Sequence, residues 1–437
     1  MRRAWIAALL LAATAACAGL LPWSEDARLA SWKKQASALR GLEFTETVRL
    51  EWISTAQIPD LIRAELEGVL TPEGARRYRD GYAALGVFPP ELDYFETMLR
   101  LQSESLAGIY SPRRKKLYVL DSLRDDGESA HPEQSVIVVH ELVHALQHQH
   151  FPELLDLLVS LRRQDDVVGA VASALEGDAT LTMLGVGAQP DGSDARDERM
   201  AERVRGSMLA EAARPDGPMS DVPRLLRESL VFPYAWGTPL AARRFSVSGN
   251  AGLDAALRDP PLSTLRVLEP SDTDPVEFVR LPGTELGSRV AARGCTLGDD
   301  NVAGALTLRV LFEDYARDTG PDVDTLVRGW RGDRFVQIEC PKAWELVWLT
   351  RWDSAEAAEL FASAYRAIAP AIAAHAPLEG PPEVVVRDRT ALVVTPGLAE
   401  AADWLFGASE IRSYSTFVQW REDGCFPETP CPVTDGN

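Results

Sequence analysis

The sequence has little basic charge, little cysteine and little histidine, and each shortage narrows what the protein can be. Lysine and arginine total 45 against 65 aspartates and glutamates, which gives a formal net charge of −20. This acidity disfavours a nucleic-acid partner, because phosphate backbones are bound by basic surfaces. The 437 residues include only five cysteines and six histidines. Beyond the N-terminus we predict no transmembrane helix from length and hydropathy.

Length and periodicity predict an α+β fold with two main parts. The chain is long enough for two or three domains with a large buried core. Residues 24–100 have mainly helical patterns, and AGIYSPRRKKLYVLD, which follows them, is typical of a β-hairpin. We therefore predict a mostly helical core over residues 24–300 with a small β-hairpin or sheet. A smaller α+β unit is predicted over residues 301–437, where RFVQIEC and AWELVWLTRW have strand patterns.

The first residues have the features of an export signal. Two arginines precede an apolar segment, residues 4–13, that is too short to span a bilayer. The sequence TAAC, which ends at Cys17, resembles a bacterial lipoprotein box, in which the cysteine is acylated. We predict a signal peptide over residues 1–17 and attachment to the cell envelope through a lipid on Cys17. The alternative is ordinary cleavage after Ala15, which would give a secreted protein.

Export predicts an oxidising compartment, in which cysteines pair. Without Cys17, four cysteines remain, and they allow three pairings. We favour a small terminal loop closed by Cys425 and Cys431, which would leave Cys295 to pair with Cys340. Four unpaired thiols are the alternative.

Four of the six histidines lie in the stretch VIVVHELVHALQHQH, residues 136–150. His140, Glu141 and His144 form an HExxH pattern, and on a helix residues four apart share a face. Two imidazoles at this spacing can reach one zinc ion with bonds of about 2.0–2.1 Å. Glu141 is displaced by about 100° around the helix axis, which suits a role in activating zinc-bound water.

The surroundings of the motif predict a buried helix. It is expected to begin at Pro132 and to end at Phe151-Pro152. Its apolar residues lie nearly all round the axis, so the helix is expected to be covered on most sides. Burying two histidines and a glutamate there without a partner would cost several kcal/mol. The alternative to a metal is a core helix whose polar groups satisfy one another.

Glu176, in ASALEGDAT on the next predicted helix, is the best candidate for a third ligand. A catalytic zinc uses three protein ligands and keeps one position open. The small residues around Glu176 would allow close approach to the histidine helix. Gly177 costs about 1 kcal/mol against alanine inside a helix, so we expect a packing reason for it. Asp178 and Thr180 are candidates to orient a histidine through its free ring nitrogen. A solvated carboxylate is the alternative for Glu176.

Two nearby histidines are not expected to bind the metal. His148 continues the i, i+4 series, but each step drifts by about 40° around the helix. It also lies beyond the apolar run, so we predict a surface position for it. His131 is expected near the start of the helix.

These motifs resemble a family of exported bacterial and archaeal gluzincin-like zinc metallopeptidases. In that family HExxH lies on one helix and a zinc-binding glutamate lies on the next, in a sequence of the type EGDA. The resemblance implies a zincin-like core, with His140, His144 and Glu176 as ligands and Glu141 as the catalytic base. It extends over much of the chain from Gly81 to Ala362. The segments that carry it are HELVHALQHQHF, ALEGDAT, AGIYSPRRKKLYVLD, FPYAWG, PPLSTLRVLEP, GWRGDRFV and WLTRWDSAEAAELFA.

The sequence departs from the family pattern at Glu269, which precedes Pro270 where the family usually has a histidine. If that histidine assists catalysis, this protein lacks it. Tyr234, in FPYAWG, is then an alternative electrophile. A packed aromatic side chain is the other interpretation of Tyr234, and the one that residue type favours.

The motif and the resemblance together predict a zinc-dependent hydrolase, a peptidase in which Glu141 activates zinc-bound water and protonates the leaving amine. A peptide or protein would be the substrate, aligned along the hairpin that holds Tyr110 and Tyr118. One alternative is a zinc hydrolase of a non-peptide bond. Another is a peptidase-like binding protein that keeps zinc without activity, with which Glu269 is consistent. The sequence does not specify an oligomeric state.

Overall fold

The computed structural model describes residues 25–124, 132–161, 163–186, 194–270, 273–316 and 320–427. The predicted signal peptide with Cys17 lies outside these residues, as do His131 and Cys431. Within them the protein is a mixed α+β structure, as predicted.

Helices supply most of the regular structure, and most of them lie in the first 300 residues. They are α1 (Glu25–Arg40), α2 (Ile58–Glu67), α3 (Pro72–Ala84), α4 (Tyr94–Ser105), α5 (Pro132–His150), α6 (Pro152–Ser160), α7 (Asp165–Leu184), α8 (Glu198–Ala212), α9 (Arg224–Ser248), α10 (Asn250–Arg258), α11 (Thr264–Leu268), α12 (Gly283–Ala291), α13 (Gly304–Tyr315), α14 (Val323–Arg328), α15 (Ala355–His375), α16 (Ala402–Ala408) and α17 (Phe417–Glu422).

The strands form three sheets in the described part of the chain. The first sheet has the order β1-β3-β2, with β1 parallel and β2 antiparallel to β3. The second pairs β10 with β4, and the third is antiparallel with the order β5-β6-β7-β9-β8. The strands are β1 (Arg49–Ile53), β2 (Gly108–Ser111), β3 (Lys116–Leu120), β4 (Val276–Arg280), β5 (Thr296–Asn301), β6 (Trp330–Glu339), β7 (Trp344–Trp352), β8 (Glu383–Arg387), β9 (Thr390–Val394) and β10 (Glu410–Tyr414).

Residues 24–100 are mainly helical, as predicted, but the first sheet adds one strand that was not expected there. The β2–β3 hairpin lies where the sequence predicts it. However, β1 interrupts the helical region and pairs with β3 from Arg49 beside Lys116 to Ile53 beside Leu120. A strand of five residues contains too few alternations to stand out between helices, and its partner is distant in sequence. Its pairing is therefore a tertiary effect that local periodicity does not reveal.

The histidine helix α5 has the predicted bounds. It begins at Pro132 and ends at His150, and Pro152 starts the next helix. Its apolar face is covered by α1, by the first sheet and by α7. Seven of its residues have no exposed surface at all: Val138, Val139, Leu142, Val143, Ala145, Leu146 and Gln147. The predicted burial of this helix is confirmed.

Helix α7 is apolar because it is packed on several sides. By length and composition it could cross a membrane, contrary to the sequence prediction, but 72% of the apolar window is buried inside the protein. It packs against α5, α9, α10 and α11. Its hydropathy is therefore that of a core helix.

Gly177 has the packing reason that its cost predicts, but with another neighbour. A Cβ on Gly177 would lie 2.2 Å from the carbonyl oxygen of Gly237, on α9. A Cβ on Gly237 would lie 2.1 Å from the carbonyl oxygen of Ser173. The tightest contact is thus with α9 and not with the histidine helix, so the expected partner was wrong. This crossing brings α9 against the part of α7 that carries Glu176.

The predicted boundary at residue 300 falls inside shared structure. Strand β5 ends at Asn301 and pairs with β6, while β4 pairs with β10 near the C-terminal end. One apolar cluster includes Tyr82, Leu226, Phe312 and Trp348. The two predicted units are therefore joined by strand pairing and by a common core.

A disulfide links the residues that flank the β5–β6 pair. Cys295 and Cys340 are bonded, with their Cα atoms 4.3 Å apart, which confirms the pairing favoured from the sequence. Cys431, the expected partner of Cys425, lies outside the described residues.

Candidate metal centre

Helices α5 and α7 bring the three predicted ligands to one point. The Nε2 atoms of His140 and His144 are 3.1 Å apart. Oε2 of Glu176 lies 3.3 Å from Nε2 of His140 and 3.2 Å from Nε2 of His144. The i, i+4 spacing turns both imidazoles to the same face of α5, and α7 crosses that face with Glu176. The three atoms form a nearly equilateral triangle.

The size and chemistry of this triangle fit a zinc ion. Ligand atoms bonded tetrahedrally at about 2.0–2.1 Å lie about 3.3–3.4 Å from one another. The observed separations of 3.1–3.3 Å are close to that value. Two imidazole nitrogens and one carboxylate oxygen are a donor set used by catalytic zinc. The side chains are 12%, 15% and 21% exposed, so the site is largely but not fully closed to solvent.

The electrostatics of the cluster favour positive charge at its centre. Burial by itself would lower the pKa of His144, but the charge and hydrogen bonding of Glu176 outweigh it and raise that pKa to about 9. Burial would likewise raise the pKa of Glu176, but His144 and His140 hold it well below its usual range. A group of side chains that stabilises a proton so strongly also attracts a metal cation.

Glu141 lies beside the ligand triangle and is not part of it. Its Oε2 accepts a hydrogen bond of 2.8 Å from the backbone N–H of Tyr110, on β2. Its negative charge acts on the ligand His144, raising the pKa of that imidazole. Strand β2 is an edge strand of its sheet, and a Cβ on Gly108 would lie only 3.2 Å from Cγ of Glu141. The glutamate therefore lies between the ligands and a sheet edge.

Tyr234 reaches the same site from α9. Its ring stacks on that of His140, with ring centroids 6.2 Å apart and 23° between the planes. Burial, followed by the charges of Glu176 and Glu141 and a hydrogen bond from the hydroxyl to Glu176, raises the pKa of Tyr234 well above its usual range. The hydroxyl is therefore protonated at neutral pH and is able to donate a hydrogen bond.

Glu269, the residue that departs from the family pattern, forms an ion pair with Arg328. The distance from Nε of Arg328 to the carboxylate is 2.9 Å, and the two side chains are 56% and 35% exposed. The carboxylate at this position is thus neutralised by an arginine near the surface.

Gln147 is a site residue that the sequence reasoning missed. Nδ1 of His144 lies 2.8 Å from Oε1 of Gln147. Asp178, predicted to orient a histidine directly, contacts Gln147 instead, with 2.9 Å from Nε2 to Oδ2. Thr180 was the other candidate, but its buried hydroxyl has no hydrogen-bond partner among the described residues. The i, i+3 spacing of His144 and Gln147 was the available signal.

His148 is half-buried, and so it is only in part at the surface as predicted. Its Nδ1 lies 2.9 Å from the hydroxyl of Tyr110, and its ring meets the tyrosine ring edge-on. Burial lowers the pKa of His148. The prediction holds only in part because β2 packs along this end of α5, which the drift around the helix alone does not indicate.

Comparison with known proteins does not assign a function to this site. A family model described as a domain of unknown function, DUF8575, matches residues 292–401. This stretch includes β5 to β9 and begins after every candidate site residue. No curated protein and no solved structure matches the chain.

Proposed function

We propose that this protein is a zinc-dependent hydrolase of peptide bonds with a zincin-like catalytic core. His140, His144 and Glu176 would hold the metal, and Glu141 would be the catalytic base. The observation that carries the proposal is the triangle of ligand atoms, 3.1–3.3 Å on a side, with a second carboxylate next to it that is not a ligand. A structural metal site needs the first feature but not the second.

The chain's own groups supply the proton transfers. When bound, zinc polarises the scissile carbonyl and lowers the pKa of a coordinated water to about 7. Glu141 accepts the proton of the attacking water and later delivers it to the leaving amine. The N–H of Tyr110 fixes one oxygen of the Glu141 carboxylate, so the base has a defined position. Tyr234 donates its hydroxyl proton in a hydrogen bond to the carbonyl oxygen as negative charge develops there.

The sheet edge beside Glu141 favours a peptide over other substrates. An extended peptide can add to an edge strand through backbone hydrogen bonds. Strand β2 offers such an edge next to the base, with Gly108 and Tyr110 facing α5. The predicted export signal assigns this activity to the cell envelope, or to the exterior if the protein is secreted. Fatty-acid labelling of Cys17 distinguishes the two locations.

The test of the proposed function is to compare zinc content with turnover in Glu141→Gln. This substitution keeps the size and hydrogen-bonding capacity of the side chain but removes its ability to accept the proton. General-base contributions are typically about 10²–10⁴-fold, so we expect peptidase turnover to fall at least about 100-fold. Zinc content, measured by elemental analysis, should stay near one per chain. Glu153→Gln, at an exposed position of α6, is the matched control and should change neither.

Other outcomes identify the alternatives. Glu176→Gln should show the inverse pattern, because loss of a ligand weakens zinc binding first and activity as a consequence. Equal turnover in wild type and Glu141→Gln would remove the enzymatic claim and leave a zinc-binding protein. Turnover of esters without cleavage in a proteome-derived peptide library would indicate a non-peptide hydrolase.

A further inference from the structure

We infer that Gln147 is a positioning residue that fixes the tautomer of His144, and that a buried chain of side chains reaching back to Arg40 on α1 holds it in place. The inference rests on the proposed zinc site and extends it to side chains that do not touch the metal. Four side chains on three helices make up this chain: His144 and Gln147 on α5, Asp178 on α7 and Arg40 on α1.

The neighbours of Gln147 determine which way its amide points. Its nitrogen lies 2.9 Å from the carbonyl oxygen of Leu175 and 2.9 Å from Oδ2 of Asp178. Both are acceptors, so the NH₂ group must face them and donate. The amide oxygen is thereby turned to His144, 2.8 Å from Nδ1. An amide oxygen only accepts, so Nδ1 of His144 must carry the hydrogen.

This hydrogen decides the state of the ligand atom. A neutral imidazole with its hydrogen on Nδ1 has a lone pair on Nε2. Nε2 of His144 is the atom that faces His140 and Glu176. Gln147 therefore selects the tautomer that can bind a metal and holds the ring plane in register with it.

Asp178 and Arg40 keep this arrangement from relaxing. Nε of Arg40 donates to Oδ2 of Asp178 at 2.9 Å, and a second nitrogen of Arg40 lies 2.8 Å from Oδ1 of Asp254. Gln147, Asp178 and Arg40 are at most 1% exposed. Burial makes an unpaired polar group costly, so breaking the link from Arg40 to Asp178 or from Asp178 to Gln147 would be unfavourable.

The other histidine ligand has no such support in the described part of the chain. Nδ1 of His140 is buried there without a hydrogen-bond partner. The ring of His140 is constrained instead by stacking on Tyr234. The two candidate ligands are thus oriented by different means. The hydrogen-bonded side chains of Gln147, Asp178 and Arg40 support only His144.

The experiment measures zinc affinity by competition with a chelator at fixed pH. Gln147→Leu removes all three side-chain hydrogen bonds and should weaken zinc binding about 10–100-fold, the range for such supporting residues. Gln147→Glu keeps the acceptor for His144 but sets a carboxylate against Asp178, so it should also weaken binding. Adding Asp178→Asn to Gln147→Glu restores a donor opposite one of the two former acceptors and should recover part of the loss, because the carbonyl oxygen of Leu175 still faces a carboxylate oxygen. The visible spectrum of the cobalt-substituted protein should change in Gln147→Leu and return in the double variant.

Gln149→Leu is the matched control on the same helix. The side chain of Gln149 accepts solvent-exposed hydrogen bonds from the backbone N–H groups of Thr45 and Glu46. Because these contacts lie away from the proposed ligands, zinc affinity should be unchanged. A merely structural role for Gln147 would lower the melting temperature of the zinc-free protein but leave the zinc affinity and the cobalt spectrum of the folded variants unchanged.

Each remaining outcome decides the inference. Wild-type zinc affinity and an unchanged cobalt spectrum in folded Gln147→Leu would overturn it while leaving the proposed function intact. If Gln147→Leu does not fold, the comparison of Gln147→Glu with the double variant decides, and absence of rescue overturns the inference. A wild type that binds no zinc removes the proposed function and the inference together, before any variant is compared.

Discussion

At the scale of single residues, Tyr234 and Glu269 differ in their ability to donate a hydrogen bond to the carbonyl oxygen of a substrate. In the proposed reaction, the transition state of peptide hydrolysis would develop negative charge on the carbonyl oxygen, and a hydrogen-bond donor would have to face it. Glu269 pairs with Arg328 and carries negative charge itself, so it is unsuited to that role. Tyr234 is protonated, stacks on His140 and lies close to the carboxylates of Glu176 and Glu141.

We therefore expect Tyr234→Phe to lower turnover and Glu269→Gln to leave it unchanged. Phenylalanine keeps the ring that stacks on His140, so only the hydroxyl is removed. Loss of one such donor costs about 10²-fold or more in kcat, and zinc content should be retained. Steady-state kinetics on one peptide substrate, with elemental analysis of each variant, gives the comparison. Unaltered kcat in Tyr234→Phe would return Tyr234 to the role of a packed aromatic.

Residue patterns predicted the side chains that meet at the candidate site better than the side chains around them. His140, His144 and Glu141 follow from helical spacing, and Glu176 from its motif and small neighbours, because these signals are local. Gln147 has the i, i+3 spacing from His144 that would have indicated a contact, but it was overlooked because glutamine is not a usual zinc ligand. The role of Arg40 could not be predicted from the sequence, because its hydrogen bond to Asp178 depends on how α1 packs against α7.

At the scale of elements, the crossing of α7 and α9 decides whether the site can assemble. Gly177 and Gly237 allow the two backbones to approach so closely that either added Cβ would lie 2.1–2.2 Å from a carbonyl oxygen. Contacts this short do not occur between real atoms, so the helices would have to move apart. Because α7 carries Glu176 and α9 carries Tyr234, any such movement displaces both from the histidines of α5.

Gly177→Ala should therefore destabilise the protein although alanine is the better helix former. Gly206→Ala, in the exposed middle of α8, is the matched control, because a Cβ there meets nothing within 4 Å. There the gain in helix propensity should raise the free energy of unfolding by roughly 0.8–1 kcal/mol. Urea unfolding should show opposite shifts for the two variants, with weaker zinc binding only in Gly177→Ala. A stabilised Gly177→Ala would mean that the crossing has room for the added methyl group.

Element prediction succeeded where one segment carries its own signal. The histidine helix, α7 and the β2–β3 hairpin have long or sharply bounded patterns. Strand β1 and the pairing of β4 with β10 do not, because each depends on a partner far along the chain. The same limit explains why the glycine in α7 was assigned the wrong neighbour.

At the scale of the whole molecule, buried carboxylates join the first half of the chain to its C-terminal section. Asp166, at the start of α7, accepts hydrogen bonds from the backbone N–H and the hydroxyl of Thr264 and from the backbone N–H of Ala305, on α13. Asp333, on β6, accepts hydrogen bonds from the backbone N–H groups of Ala303 and Gly304 and so caps α13. Both carboxylates are at most 4% exposed. From the net charge of −20 alone, aspartates such as Asp166 and Asp333 would have been expected at the surface.

This junction makes the free energy of unfolding depend on pH. Burial, with the charge of Asp333 adding to it, raises the pKa of Asp166 to about 7, and hydrogen bonds from Thr264 offset only part of the rise. In an unfolded chain the pKa of aspartate is about 3.9. Between about pH 4 and pH 7 the folded protein therefore holds a proton that the unfolded chain has lost. The contribution of Asp166 to the free energy of unfolding falls as the pH rises through this window.

Asp166→Asn should remove this contribution, because asparagine keeps the shape and does not ionise. The free energy of unfolding, measured with urea between pH 4.5 and 7 in the presence of a chelator, should fall less steeply with pH in the variant. The difference in slope should approach about 1.4 kcal/mol per pH unit, the value for one proton. Asp299, whose pKa burial also raises to about 7, remains in both proteins and leaves a slope in the variant. Asp403→Asn, at an exposed position, is the control and should run parallel to wild type. If Asp166→Asn also runs parallel, Asp166 is ionised in the folded protein throughout this range, and the junction must contain a compensating positive charge.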